Sequence, residues 1–238
     1  MLSNGARPPG VPPSALADTL LERLTAAYPA AADPARAADM AAYMKDVAPF
    51  LGIPAPLRRE LSRTVTKNTP RPSEDDCAAL ALGCWRLPHR EYHYFAVDYL
   101  RRHVGRCSSG ILPVVRHLIT TVPWWDTVDL LAAHTVGPLV AADPGLVPVM
   151  DDWIDDEDLW PVRTALLHQL GSKGATDAER LFRHCRRQAG HPDFFVRKAI
   201  GWALREYAKT DPGAVRAFVA AERSALSPLS VREALRNL

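Results

Sequence analysis

Val162-Arg163-Thr164-Ala165, Val196-Arg197-Lys198-Ala199 and Val231-Arg232-Glu233-Ala234 repeat one pattern, Val-Arg-x-Ala, at offsets of 34 and 35 residues. A further step of 34 back from Val162 lands on Val128-Asp129, inside Trp124-Trp125-Asp126-Thr127-Val128-Asp129. One four-residue match is a weak signal in a chain this rich in Ala, Val and Arg. Three matches and a partial fourth, all in register, are much harder to obtain by chance. A period near 35 belongs to helix-pair repeats, in which each pair buries its apolar face only by stacking on its neighbours. Such units pile into a curved solenoid with a concave face. Beyond its first residues the chain has room for about six antiparallel pairs.

Outward from the repeat, the signals stay helical. Ser14 to Ala27 sets Leu20, Leu21 and Leu24 at helical spacing, and Ala35 to Met44 continues in strong helix formers. Pro49, Pro54 and Pro56 punctuate the chain before the basic amphipathic stretch Leu57 to Thr66. The one Asn-Gly, Asn4-Gly5, has no strand pattern on either side, and Asp-Gly does not occur. The expected class is all-α. Residues 14–238 are expected to form one repeat domain, after a disordered tail over residues 1–13 that carries Pro8, Pro9, Pro12 and Pro13.

Composition narrows the function. With 238 residues, 47% hydrophobic and 24% charged, the chain is an ordinary globular protein rather than a disordered one. Its cysteines, at 77, 84, 107 and 185, contain no Cys-x-x-Cys, which excludes a zinc ribbon and a thioredoxin-type motif. They read as reduced, mostly buried thiols of an intracellular protein. No run approaches the 18 apolar residues of a membrane helix, and the start lacks the apolar core of a signal peptide. A cytoplasmic protein with no membrane partner is expected. The net charge of +2 says nothing about nucleic acid by itself, so the distribution of charge has to decide.

Equivalent positions of stacked repeats form a stripe along one face, here Asp129, Arg163, Arg197 and Arg232. Two readings follow. The arginines form a ladder that tracks a phosphate backbone in the concave groove, or each pairs with an acid in the neighbouring repeat. Trp125 precedes Asp129 by four residues and so shares its helix face. Trp160 precedes Arg163 by three, with Pro161 placing it at a helix start, while Trp202 lies five beyond Arg197, off its face. Adjacent Trp124 and Trp125 cannot both face the core of one helix. An indole next to a carboxylate is therefore the candidate site.

Other clusters carry less. His89 and His93 have the i, i+4 spacing of a metal pair but no third ligand, and no metal site is expected. The acidic run Asp151 to Asp158 lacks the loop glycine of a calcium site and reads as a helix cap and solvated face. Arg101-Arg102-His103 and Arg180 to Arg187 are basic clusters that either face solvent or touch DNA.

Pro123-Trp124-Trp125-Asp126-Thr127-Val128-Asp129 and Lys198-Ala199-Ile200-Gly201-Trp202-Ala203-Leu204-Arg205-Glu206-Tyr207-Ala208-Lys209 resemble the bacterial AlkD family of alkylpurine DNA glycosylases. Agreement extends to Met40-Ala41-Ala42-Tyr43-Met44-Lys45, to Phe50-Leu51-Gly52-Ile53 and to Leu226-Ser227-Pro228-Leu229-Ser230, covering roughly residues 17–238. The proline-rich start has no counterpart in these motifs. The resemblance implies a HEAT-like repeat fold, no cofactor, and double-stranded DNA containing alkylated purines as the partner of a monomer. It implies that Asp129 is the catalytic carboxylate and that Trp125 and Trp202 line the site. It also places Tyr43, Arg163, Lys198 and Arg205 near the DNA, beside the Arg197 and Arg232 of the stripe.

These residue types suit the implied reaction. An N3- or N7-alkylpurine carries a positive charge that makes it a good leaving group, and bond breakage moves positive charge onto the deoxyribose. A carboxylate about 4 Å away at an effective dielectric near 20 contributes about 4 kcal/mol, roughly a thousandfold in rate. An indole face adds on the order of 0.5–2 kcal/mol for a cation. Two other functions fit the same sequence. One is a self-resistance glycosylase excising bulky adducts of a DNA-alkylating natural product. The other is a noncatalytic HEAT-type module binding DNA or protein, which would need no carboxylate at 129.

Overall fold

The structure, a computed structural model, describes residues 10–238, so residues 1–9 of the expected tail lie outside it. The described residues form α-helices joined by short turns, with no strand among them. Among the described residues there are thirteen helices, one more than six pairs require. The described residues pack as two compact units, one ending at residue 127 and the other spanning 128–238.

In the first unit, α1 (Ala15–Ala27) starts at Ser14, whose hydroxyl accepts the Ala17 N–H at 2.9 Å. The same hydroxyl donates to Asp76 at 2.6 Å, and Asp76 closes a capping box with Ser73 at the start of α4 (Glu74–Trp85). One serine thus joins two helix starts 62 residues apart. Leu20 and Leu24 of α1 are buried as the leucine spacing predicts. Every residue of α4 from Cys77 to Trp85 is buried, because α4 lies between α1 and α5 (Arg90–His103) and has no solvent face. Between them in sequence come α2 (Pro34–Tyr43), which buries no residue, and the basic α3 (Ala55–Val65), which buries Val65 alone. The turn after α2 is fixed from below. The Glu91 carboxylate of α5, fully buried, accepts the backbone N–H groups of Leu51, Gly52 and Ile53 at 2.9–3.2 Å. α6 (Leu112–Thr120) completes the unit against α4.

α7 (Trp125–Ala142) begins at the end of the first unit and carries the chain into the second. Its middle, Ala132–Val136, is a π-helical turn. After α8 (Val147–Trp153), Asp158 caps α9 (Leu159–Leu167) by accepting the Trp160 N–H at 3.0 Å. The acidic run therefore does cap the following helix, and Trp160 does sit at a helix start. α9 is buried from Trp160 to Leu167 and is to this unit what α4 is to the first. α10 (Ala178–Arg187), α11 (Phe194–Tyr207), α12 (Pro212–Ala221) and α13 (Pro228–Ala234) follow. α11 and α13 approach so closely at Gly201 that a Cβ there would stand 2.4 Å from the Glu233 Cβ. Only a residue without a side chain fits.

The period read in the sequence returns as bonding distance along the chain. Tyr28 and Ser62, Arg106 and the Pro72 carbonyl, Trp85 and the Thr121 carbonyl, and Gln188 and the Ile154 carbonyl are all hydrogen-bonded across 34 or 36 residues. Residues one repeat apart are spatial neighbours in both units.

Candidate active site

Arg163 stands in the middle of α9 with its side chain only 1% exposed. A buried guanidinium must have its donors satisfied. Its Nε and Nη2 grip Asp129 of α7 at 2.6 and 2.7 Å, and its Nη1 donates to the Phe195 carbonyl at the start of α11. Asp129 is thereby fixed by a two-pronged fork, yet its side chain keeps 16% of its surface accessible. This gives Arg163 a different part from the phosphate contact expected of it. A guanidinium closed into the core cannot reach a DNA backbone; it orients the carboxylate instead. Of the two readings of the stripe, neighbour pairing applies at Arg163.

The guanidinium also lies 5.4 Å from the ring centre of Trp202 on α11 and 5.8 Å from that of Phe195. Lys198 Nζ and Arg205 Cζ stand 5.6 and 5.9 Å from the same indole. Lys198 precedes Trp202 by four residues and Phe194 precedes Lys198 by four, so the three share one stripe of α11. Phe194 is 49% exposed and lies 5.4 Å from the lysine nitrogen. The indole is held in its plane by its Nε1–H, which donates to Glu233 at 3.2 Å; Arg205 donates to the same oxygen at 2.8 Å. The second unit thus assembles a clamped, part-exposed carboxylate and an indole surrounded by three cations.

Asp129, Arg163, Trp202, Lys198 and Arg205, all of the second unit, are brought together; Arg197 and Arg232 of the same unit lie outside that cluster. Arg197 folds back on its own helix start, donating to the carbonyls of Pro192 at 2.6 Å and Asp193 at 3.3 Å. Arg232 is exposed and lines an open cleft with Arg223, Leu226 and Leu235. The expected guanidinium ladder is therefore broken: one member is buried, one is turned back, and one is exposed. Trp125, in the first unit, opens α7 half-buried, four residues ahead of Asp129. Tyr43 ends α2 with 73% of its surface exposed.

The basic cluster of α10 is largely answered by acids. Arg180, Arg183 and His184 converge on Asp151 at 3.1, 3.0 and 2.7 Å, Arg187 pairs with Asp155 and Arg186 with Glu222. In the first unit, His93 is buried and stacked on Trp85 at 4.5 Å, and burial followed by the adjacent Arg90 pushes it down to about 3. Sequence reasoning missed Glu233 and Phe195. The signal for Glu233 was an acid at the variable position of the third Val-Arg-x-Ala, where the second has Lys198.

Comparison with known proteins shows the family and the fold. The family described as DNA alkylation repair enzyme matches residues 24–238. A "Predicted DNA alkylation repair enzyme from Enterococcus faecalis" has a TM-score of 0.79 at 32% identity, covering 87% of this chain and 96% of its own. Smu.31 from Streptococcus mutans UA159 has a TM-score of 0.58 at 16% identity, covering 76% of this chain and 91% of its own, and shows the shared fold. No curated protein matches the chain.

Proposed function

The chain belongs to the DNA alkylation repair enzyme family, and on that premise we propose that it is a monofunctional DNA glycosylase. It hydrolyses the N-glycosidic bond of cationic N3- and N7-alkylpurines in duplex DNA, as a monomer, without a cofactor, in the bacterial cytoplasm. The observation that supports this most is the fork between Arg163 and Asp129. It holds a carboxylate rigidly while leaving part of it accessible, which a purely structural ion pair has no need to do.

Chemically, the base departs with its bonding electrons and the deoxyribose acquires oxocarbenium character. Asp129 stabilises that charge and orients the attacking water. Fixing the carboxylate beforehand means little reorganisation accompanies the reaction. Trp202 and Trp125 present electron-rich faces to the cationic sugar and base. A neutral purine gains little from either group, which is the source of selectivity. Lys198, Arg205 and the exposed Arg232 meet phosphates, whereas Arg197 has first to leave its carbonyl partners.

The test is release of free base from duplex DNA carrying N7-methylguanine, for wild type and Asp129→Asn in parallel. A loss of at least about tenfold, about 1.4 kcal/mol of barrier, supports the assignment. Equal release by both overturns the role of Asp129. With DNA binding intact but no methyl-base release, a bulky N7 adduct is the next substrate: release there points to self-resistance, and its absence to a binding module.

A further inference from the structure

The four cysteines are free thiols of two kinds. Cys84 and Cys185 are fully buried, and burial pushes both thiols up, away from the reactive thiolate. Cys77 and Cys107 are instead neighbours, each thiol the largest influence on the acidity of the other. Cys77 lies in the first turn of α4 with no exposed surface, whereas Cys107, in the turn after α5, is half-buried.

Hydrogen bonds on both sides of Cys107 build their juxtaposition. Arg106 Nε donates to the Pro72 carbonyl at 2.9 Å, and the Ser108 N–H donates to the Glu74 carboxylate. The residues flanking Cys107 are thus tied to the segment that leads into Cys77. The Cys107 thiol also contacts the His103 carbonyl at 3.8 Å. Donation from Cys77 favours the thiolate of Cys107 and lowers it below the usual thiol range, against burial, while the same bond raises Cys77. The pair therefore divides into an accessible nucleophile and a sheltered thiol behind it.

We infer that Cys77 and Cys107 are an oxidation site for hydroperoxides, closing to an intramolecular disulfide within the first unit. In the first step the Cys107 thiolate attacks a peroxide oxygen and breaks the O–O bond. Sulfur is oxidised to a sulfenic acid, and the peroxide is reduced to an alcohol, or to water when the oxidant is hydrogen peroxide. In the second step the Cys77 sulfur attacks the Cys107 sulfur. The S–S bond forms as the sulfenic oxygen leaves as water, with the proton of Cys77. With the turn that carries Cys107 already tied to the start of α4, the bridge closes by rotation about the cysteine side-chain bonds. The closed form staples the start of α4 to the turn after α5.

The experiment treats the reduced full chain with hydrogen peroxide, then alkylates it with N-ethylmaleimide under denaturing conditions and measures intact mass and peptide links. The expected product lacks two hydrogens and two alkylatable thiols. Its link joins Cys77, distinguished from Cys84 by fragmentation, to Cys107, and dithiothreitol reverses it. Cys84 and Cys185 remain alkylatable. Cys77→Ser is expected to stop at a dimedone-reactive sulfenic acid on Cys107, and Cys107→Ser to leave Cys77 reduced. Retention of all four thiols in the wild type overturns the proposal, as does oxidation of Cys107 to sulfinic acid without a link. The wild-type measurement decides even if neither variant folds.

Discussion

Asp126 and Asp129 stand three residues apart in α7, each gripped by an arginine about one repeat away, and they end in opposite circumstances. Asp126 is bound by Arg90 at 2.6 and 3.1 Å, by the Tyr94 hydroxyl at 2.6 Å and by the Thr127 N–H at 3.0 Å, leaving its side chain 6% exposed. Asp129 is bound as tightly by Arg163, yet its side chain is 16% exposed and its arginine lies over an indole. The pairing chemistry is the same. What distinguishes a structural carboxylate from a candidate catalytic one is how far it is sealed, and Tyr94 does much of the sealing at Asp126. Burial, then the charge of Asp126, pushes that phenol up and keeps it a donor.

The largest expected effect tests the structural half of this contrast. Asp126→Ala strands Arg90 in the core and should lower unfolding free energy by about 3–5 kcal/mol, read from urea denaturation. Asp129→Ala strands an equally buried Arg163, so the contrast is read in base release. If Asp126→Ala, measured where it stays folded, loses as much activity as Asp129→Ala, the distinction between the two acids collapses.

Acid attacks the same pair from the side of His93, whose Nδ1 lies 3.2 Å from Arg90 Nη1. Its folded pKa of about 3 lies below the ordinary 6.5, so the unfolded chain takes up the proton first. The stability from neutral His93 is complete above about pH 6.5 and is lost as pH falls from there toward 3. By pH 5 this one histidine should cost about 2 kcal/mol. In denaturation midpoints measured from pH 7.5 to 5, His93→Gln should flatten the slope; an unchanged slope would remove His93 from the explanation.

Tyr94→Phe deletes only the seal on Asp126 and should cost about 1.5 kcal/mol of stability, with little change in base release. A Tyr94→Phe variant that lost activity while keeping its stability would place Asp126 in the chemistry after all. Smallest is Trp202→Leu, which removes the cation-binding face beside Asp129. A loss of about 1 kcal/mol of barrier, roughly fivefold in single-turnover base release, is expected with an unaltered midpoint.

Much of this architecture is legible in the sequence because its period is a distance in disguise. Residues 34 apart are neighbours, so Asp129 and Arg163 could be placed side by side before any fold was known. The direction of each side chain was not legible. Arg163, Arg197 and Arg232 occupy one position of the repeat, but burial is set by what stacks outside each: α11 closes over Arg163, whereas Arg232 is exposed beside a cleft. Glu233 escaped notice because it meets Trp202 and Arg205 across 31 and 28 residues, off the period, through a close approach that Gly201 alone permits. α2 is a helix as its composition predicts, yet it buries nothing, since alanines favour the conformation without saying what will cover it.

Partners one period apart also govern how such a chain can change length. An inserted copy of a whole repeat arrives with an acid for the next arginine and an arginine for the previous acid. A single residue inserted within a helix turns everything beyond it by about 100° and separates every pair downstream. Inheritable growth is thereby channelled into whole-repeat steps and into the turns between helices. The π-turn at Ala132–Val136 shows the third outlet: one surplus residue is taken up by widening a turn, just past Asp129, where the grip of Arg163 is undisturbed.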